Sequence, residues 1–144
     1  MTKKLEVTVF VSMLALSSLV AVADTAPTTC SLATLRGTMA WGGTNTKSGV
    51  PRSSSGMESY DGNGHIKYFE YASDGYTTNT WTGTGTYTIT ANCVATVIYD
   101  GDPTDTWTFF VAPDGSAYYS NNNLNFGAVG GGRTDRISRS QLVE

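Results

Sequence analysis

Glu70 interrupts the aromatic run "HIKYFEYA" and is the residue of this 144-residue chain best placed to do chemistry. Side chains alternate between the two faces of a strand, so Glu70 shares a face with Ile66 and Tyr68, and His65, Lys67, Phe69 and Tyr71 share the other. Turned inward, its carboxylate would be desolvated and its pKa raised into a range suited to proton transfer. Turned outward, the commoner case for a glutamate, it is an ordinary surface charge. His65 is the single histidine; it directly follows a turn and is expected to be exposed rather than catalytic. One histidine does not assemble a Ser-His-Asp set with any assurance.

The other reactive residues are two cysteines, Cys30 and Cys93. A catalytic thiol or a metal ligand lacks support, because no C-x-x-C occurs and the chain has one histidine. In an exported chain two cysteines most often pair. A bridge would close a long loop and stabilise the fold by about 4 kcal/mol in the chain-entropy model. The three aspartates of "DGDPTD" at 100 to 105 invite calcium, but their spacing does not fit the D-x-[DN]-x-[DN]-G loop, and a solvated hairpin is expected. No metal and no cofactor is expected.

The compartment is set by the front of the chain. Lys3 and Lys4 precede the apolar run "VTVFVSMLALSSLVAVA", and Ala21-Val22-Ala23 stands before Asp24. A short basic region, a short apolar core and an A-x-A site predict a secretory signal peptide over 1–23, cleaved after Ala23. A periplasmic or secreted protein follows, with no stable membrane span once the leader is gone. The domains expected are a flexible segment over 24–29, a β-domain over 30–138 and a tail over 139–144. Nine Lys and Arg against twelve Asp and Glu give a formal charge of −3, so the chain has no electrostatic footprint for nucleic acid. Arg133, Arg136 and Arg139 read as a solubilising last strand and tail more readily than as an anion site.

The hydrophobic period is two almost everywhere after Cys30. "CSLATLRG" is the one helical hint, a turn capped by Ser31 and ended by Gly37. Strands are predicted over 37–42, 54–60, 65–72, 76–81, 84–90, 93–99, 106–111 and 117–120, with a last one within 126–137. Asp61-Gly62-Asn63-Gly64, Ser73-Asp74-Gly75 and Ala112-Pro113-Asp114-Gly115-Ser116 separate them and supply residues that tolerate positive φ. In "WTGTGTYTITANCVATVIYDG", a two-residue turn at Ala91-Asn92 would set Thr90 opposite Cys93, Thr88 opposite Ala95, Thr86 opposite Val97 and Thr84 opposite Tyr99. Gly83 and Gly85 on the other face would allow a sharp bend or a close approach.

"CSLATLRGTMAW", "ESYDGNGHI" and "GTGTYTITANC" together resemble a family of exported, mostly uncharacterised bacterial proteins. The matching residues are Cys30, Ser31, Leu32, Leu35, Gly37 and Thr38; Tyr60, Asp61, Gly62 and Gly64; and Gly85, Thr86, Tyr87 and Cys93. The resemblance implies a small eight-stranded antiparallel barrel similar to lipocalins and allene oxide cyclases. It implies no activity, since no cyclase motif maps onto this chain. The strand count agrees: an all-β, up-and-down barrel of about eight strands with one N-terminal helical turn.

A small barrel either fills its interior or holds one small ligand. The first expectation is therefore a binding module for a small hydrophobic or aromatic ligand. Tyr68, Trp81, Tyr99, Trp107 and Phe109 are its candidate walls, each of which could equally be plain core or girdle. The alternative is an isomerase or cyclase using Glu70. A third reading is surface assembly through "YYSNNNLNFGAVGGG", whose low charge suits edge pairing; a long hairpin loop feeding the last strand is preferred. The sequence does not fix the oligomeric state.

Overall fold

Eight antiparallel strands close on themselves in chain order, so the barrel is an uninterrupted up-and-down meander. The computed structural model describes residues 29–121 and 129–141; the expected signal peptide lies outside them. The strands are β1 (Gly37–Lys47), β2 (Val50–Tyr60), β3 (His65–Ser73), β4 (Thr78–Ile89), β5 (Val94–Tyr99), β6 (Thr106–Val111), β7 (Ala117–Asn121) and β8 (Val129–Ser138). A single 3-10 turn, Leu32–Leu35, precedes them. No helix among the described residues is long and apolar enough to cross a membrane.

Tight turns set the hairpin registers. Ser48 and Gly49 both have positive φ, 52° and 78°, the backbone that a two-residue hairpin loop needs, and Lys47 pairs with Val50 across them. This hairpin is longer than expected: β1 and β2 run on through the polar stretch between 43 and 53, beyond predicted ends at Gly42 and Ser54. Gly62, Gly64, Gly75 and Gly115 take the positive φ that their turns require, and the Gly115 amide donates to the Ala112 carbonyl at 2.8 Å.

Two expectations need correction. The predicted strands over 76–81 and 84–90 are one strand, β4, unbroken at its glycines. Those glycines make room for partners on the neighbouring strand: a Cβ on Gly83 would stand 2.8 Å from the Tyr68 hydroxyl, and one on Gly85 would stand 3.1 Å from the Ile66 side chain. The β4–β5 register is also shifted by one residue. Tyr87 pairs with Val97 and Thr88 with Thr96, because the loop is three residues long and Cys93 ends it at φ 62°. A one-residue shift exchanges the faces. The threonine stripe Thr84, Thr86 and Thr88 therefore lies in water, and Gly85, Tyr87 and Ile89 face inward with Ala95, Val97 and Tyr99.

One end of the barrel is filled. Leu35, on the 3-10 turn, is fully buried beside Met39, Tyr60, Ile66, Tyr87, Val97 and Val111. The Tyr87 hydroxyl donates to the Leu32 carbonyl at 2.9 Å, and Arg136 donates to the Thr34 carbonyl, so both ends of the turn are tied to the wall. At this same end Cys30 and Cys93 stand at disulfide distance, with Cα atoms 5.0 Å apart. Arg133 lies on the outer surface against Asp135 and over the Tyr118 ring. The three expected cations thus do not form one patch.

The β1–β8 seam depends on small residues. Gly43 and Gly132 sit where any Cβ would come within 2.6 Å and 2.4 Å of the Tyr119 hydroxyl, so the glycine run at the start of β8 leaves room for a ring inside the barrel. Closure pairs both edges of every strand, which removes the open edge that assembly by strand pairing would need. Residues 122–128, the centre of the Asn-rich stretch, lie outside the described residues.

The bridge ties the cap to the middle of the chain. Replacing both Cys30 and Cys93 by serine should lower unfolding free energy in urea by about 2–4 kcal/mol, and an unchanged midpoint would show that the cap holds without it.

Candidate functional site

The other half of the barrel encloses a cavity of about 70 Å³. It is bounded by Trp41, Asn45, Ser54, Glu58, Tyr68, Glu70, Tyr99, Asp105, Trp107, Phe109 and Tyr119. These side chains share the inward face of their strands: Trp41 and Asn45 from β1, Ser54 and Glu58 from β2, Tyr68 and Glu70 from β3, Trp107 and Phe109 from β6. Tyr68, Glu70 and Asp105 also line a wider outer cavity of about 500 Å³ with Ser48, Val50, Arg52, Asp74 and Trp81. The long strands β1 to β4 form the wall beside this vestibule, while β5 to β7, five or six residues each, stop short of it.

Glu58 forms the floor. It is 2 % exposed, the only buried acid among the described residues, and its neighbours on the inward face, Tyr60 and Tyr99, satisfy it. Tyr60 donates to Oε2 at 2.5 Å, and Tyr99 donates to Oε1. Burial pushes the Glu58 carboxyl above the ordinary glutamate value; the two phenol donors pull it down, and the nearby Glu70 charge pushes it up again. Both tyrosines are held well above the usual phenol range, first by burial and next by the Glu58 charge, so they remain donors throughout the physiological range.

A second phenol–carboxylate pair stands at the vestibule. Tyr68 donates to Asp100 Oδ2 at 2.6 Å, and Asp100 Oδ1 accepts from the Thr84 amide at 3.1 Å. A Cβ on Gly83 would approach within 2.3 Å of Asp100 Oδ1, so this link across β4 needs a glycine there. In the same loop Asp102 accepts from Thr104, and Asp105 accepts from the Trp107 indole N–H at 2.8 Å. The aspartates of "DGDPTD" thus serve the loop and the cavity wall. Among the described residues no three His, Cys, Asp or Glu side chains are grouped to hold a metal.

The rings form a connected wall. Tyr119 contacts Trp41 edge-on at 6.1 Å, Trp107 edge-on at 5.5 Å and Phe109 in a stack at 5.3 Å, and Tyr68 meets Tyr99 edge-on at 5.1 Å.

Four of the five predicted wall residues, Tyr68, Tyr99, Trp107 and Phe109, line the inner cavity. Trp81 does not; it stands at the vestibule, 39 % exposed, with the Arg52 guanidinium over its ring at 5.4 Å. Glu70 faces inward, against the commoner outward case: it lines the inner cavity on the face it shares with buried Ile66 and Tyr68, and the vestibule with its strand partner Trp81. His65 is exposed as expected and contacts Asp61 at 3.0 Å. Glu58, Trp41 and Tyr119 were not expected at the site. Alternation with Tyr60 gives the Glu58 face, and pairing of Glu58 with Tyr68 gives its partner strand, but only once the register of the β2–β3 hairpin is known.

Chemically, the arrangement offers a desolvated carboxyl between two phenols, two further acids and an aromatic wall. It can hold a small ring or head group, and it can hold a proton at Glu58. Comparison of the chain with protein-family models, with curated proteins and with solved structures returned no match.

The raised Glu58 pKa fixes a sign. A carboxyl whose pKa is higher folded than unfolded stabilises the fold fully below the unfolded value, 4.5, and loses that contribution as pH rises toward the folded value. Asp61, Asp102 and Asp114, held below 3.8 by hydrogen bonds, act oppositely and only at lower pH. From pH 4.5 to 7, wild-type stability should therefore fall relative to Glu58→Gln in urea titrations; parallel curves for the two proteins would contradict the assignment.

Proposed function

We propose that this protein is an exported barrel that binds a small aromatic or hydrophobic ligand in its lumen. The observation that carries the reading is the division of the barrel interior: one half is packed solid, and the other is walled by six aromatic rings around an unfilled cavity. A stable fold has no need of that void, since barrels of this size can fill completely with side chains. The inner cavity is below the usual range for drug-sized ligands, roughly 300–1,000 Å³. A ligand would seat one small group there and rest its remainder in the vestibule against Trp81.

Export is supported by the leader-like sequence of residues 1–23 and by the cysteine pair, which suits an oxidising compartment. Lipocalin-like binding is an analogy of architecture, and the residues named above are the part of it that can be tested.

One observation favours a second reading, an isomerase acting on a bound substrate: Glu58 lines the cavity and is a desolvated carboxyl with a raised pKa. Glu70, also in the wall, would be its partner acid or base.

Native mass spectrometry of the protein purified from its own periplasm should show an added mass that denaturation releases, and Trp107→Ala should lose it. A bare polypeptide mass, together with no thermal shift across a panel of aromatic and lipidic compounds, would remove the binding reading. The isomerase reading is checked by NMR of the recovered ligand in D₂O: deuterium should enter a C–H position with wild type and not with Glu58→Gln, and a ligand left unlabelled by wild type excludes proton transfer at carbon.

A further inference from the structure

Most phenol and indole donors of the lumen have protein partners. Tyr60 and Tyr99 donate to Glu58, Tyr68 donates to Asp100 at 2.6 Å, and the Trp107 indole N–H donates to Asp105 at 2.8 Å. By contrast, the Trp41 indole N–H and the Tyr119 hydroxyl are buried with no hydrogen-bond partner among the described residues, and Tyr119 is only 8 % exposed. Buried donors are seldom left unpaired, because each has given up its bonds to water. Here two such residues border the same cavity.

Two glycines set both groups on one strip of the wall. A Cβ on Gly43 would stand 2.6 Å from the Tyr119 hydroxyl, and Gly43 lies between Trp41 and Asn45 on the inward face of β1. A Cβ on Gly56 would stand 3.1 Å from Trp41 Cε2, the carbon bonded to the indole nitrogen, and Gly56 lies between Ser54 and Glu58 on the inward face of β2. Trp41, Asn45, Ser54 and Glu58 all border the cavity, and Trp41 pairs with Gly56 as Gly43 pairs with Ser54.

The chemistry of the two groups selects what they bind. An indole N–H can only donate and a phenol hydroxyl can donate, so their partner is an acceptor; an ammonium group has no lone pair to offer. A carbonyl oxygen has two lone pairs and can take both bonds. Burial is the first cause that raises both Glu58 and Tyr119 above their ordinary values, and it acts in the same way against a ligand carboxylate.

We infer that the lumen takes a small uncharged carbonyl compound, whose oxygen accepts from the Trp41 indole N–H and the Tyr119 hydroxyl. The inference rests on the lumen-binding reading and narrows it to one chemical class. The apolar body of the ligand lies against Trp107 and Phe109, the rings that Tyr119 already contacts, and extends into the vestibule beside Trp81.

Acetophenone and α-methylstyrene have one shape, with an oxygen in the first where the second has a CH₂ group. Isothermal titration of the full mature chain at neutral pH should show that Tyr119→Phe weakens acetophenone about tenfold and leaves α-methylstyrene nearly unchanged. Benzoate and 1-phenylethylammonium, the charged analogues, should both bind wild type more weakly than acetophenone. In wild type alone, the infrared stretch of carbonyl-¹³C acetophenone should fall below its position in hexane on binding, as a hydrogen-bonded carbonyl does. A bound band at the hexane position overturns the carbonyl inference and leaves lumen binding standing. Acetophenone binding indifferent to Tyr119→Phe, or tighter binding of either charged analogue, overturns it as well. Silence from all four probes also overturns it, and the native mass measurement then decides lumen binding independently.

Discussion

A carboxyl group with almost no access to water, gripped by two phenols, marks the point where this barrel changes from solid to hollow. Below Glu58 the interior is closed by Leu35, Met39, Ile66 and Val97; above it stand Glu70, Asp105 and the ring wall. Burying an ionisable group is costly unless hydrogen bonds replace its water, and here Tyr60 and Tyr99 supply them from β2 and β5. Tyr60 is two residues from Glu58 on the same strand and Tyr99 stands three strands away on β5, so the Tyr99 bond also ties two walls together across the lumen. Deleting either phenol would leave a buried acceptor without its donor, a loss worth roughly 1–3 kcal/mol.

Closure makes that interior possible. Eight strands joined in sequence order leave no edge, and the seam between β1 and β8 accommodates the Tyr119 ring only because Gly43 and Gly132 carry no side chain. The disulfide and the 3-10 turn seal the filled end, leaving the longer strands to extend the wall at the other. Packing and cavity are thus two consequences of one arrangement: small residues at the seam, large rings at the lumen, and a cap tied down by Cys30 and Cys93.

Much of this was legible in the residues. Period-two patterning and turn chemistry gave an all-β chain of about eight or nine strands with one helical turn, the resemblance implied the eight-stranded antiparallel barrel, and alternation placed Glu70 on one face with Tyr68 and Ile66. What failed was whatever required register. Ala91-Asn92 looks like a two-residue loop, but Cys93 adopts a left-handed backbone and lengthens it by one, which turns the threonines outward. Thr82-Gly83 looks like a break between strands because glycine usually interrupts them; here Gly83 yields its space to Tyr68 and Asp100. Glu58 was hidden for the same reason: in "SSSGMESY" nothing local says which face is dry, and only pairing with β3 sets it beside Tyr68. Tyr118 and Tyr119 are adjacent and identical, yet one is 64 % exposed and the other is the hub of the ring wall.

The direct test of the account is the Glu58 carboxyl itself. In protein labelled with ¹³C at glutamate, the Glu58 Cδ resonance should titrate with a midpoint above 4.5, and the ring signals of Tyr60 and Tyr99 should move with it. A midpoint at or below 4.5, with those ring signals unmoved, would mean that the carboxyl is solvated and that the floor of the lumen is not as described.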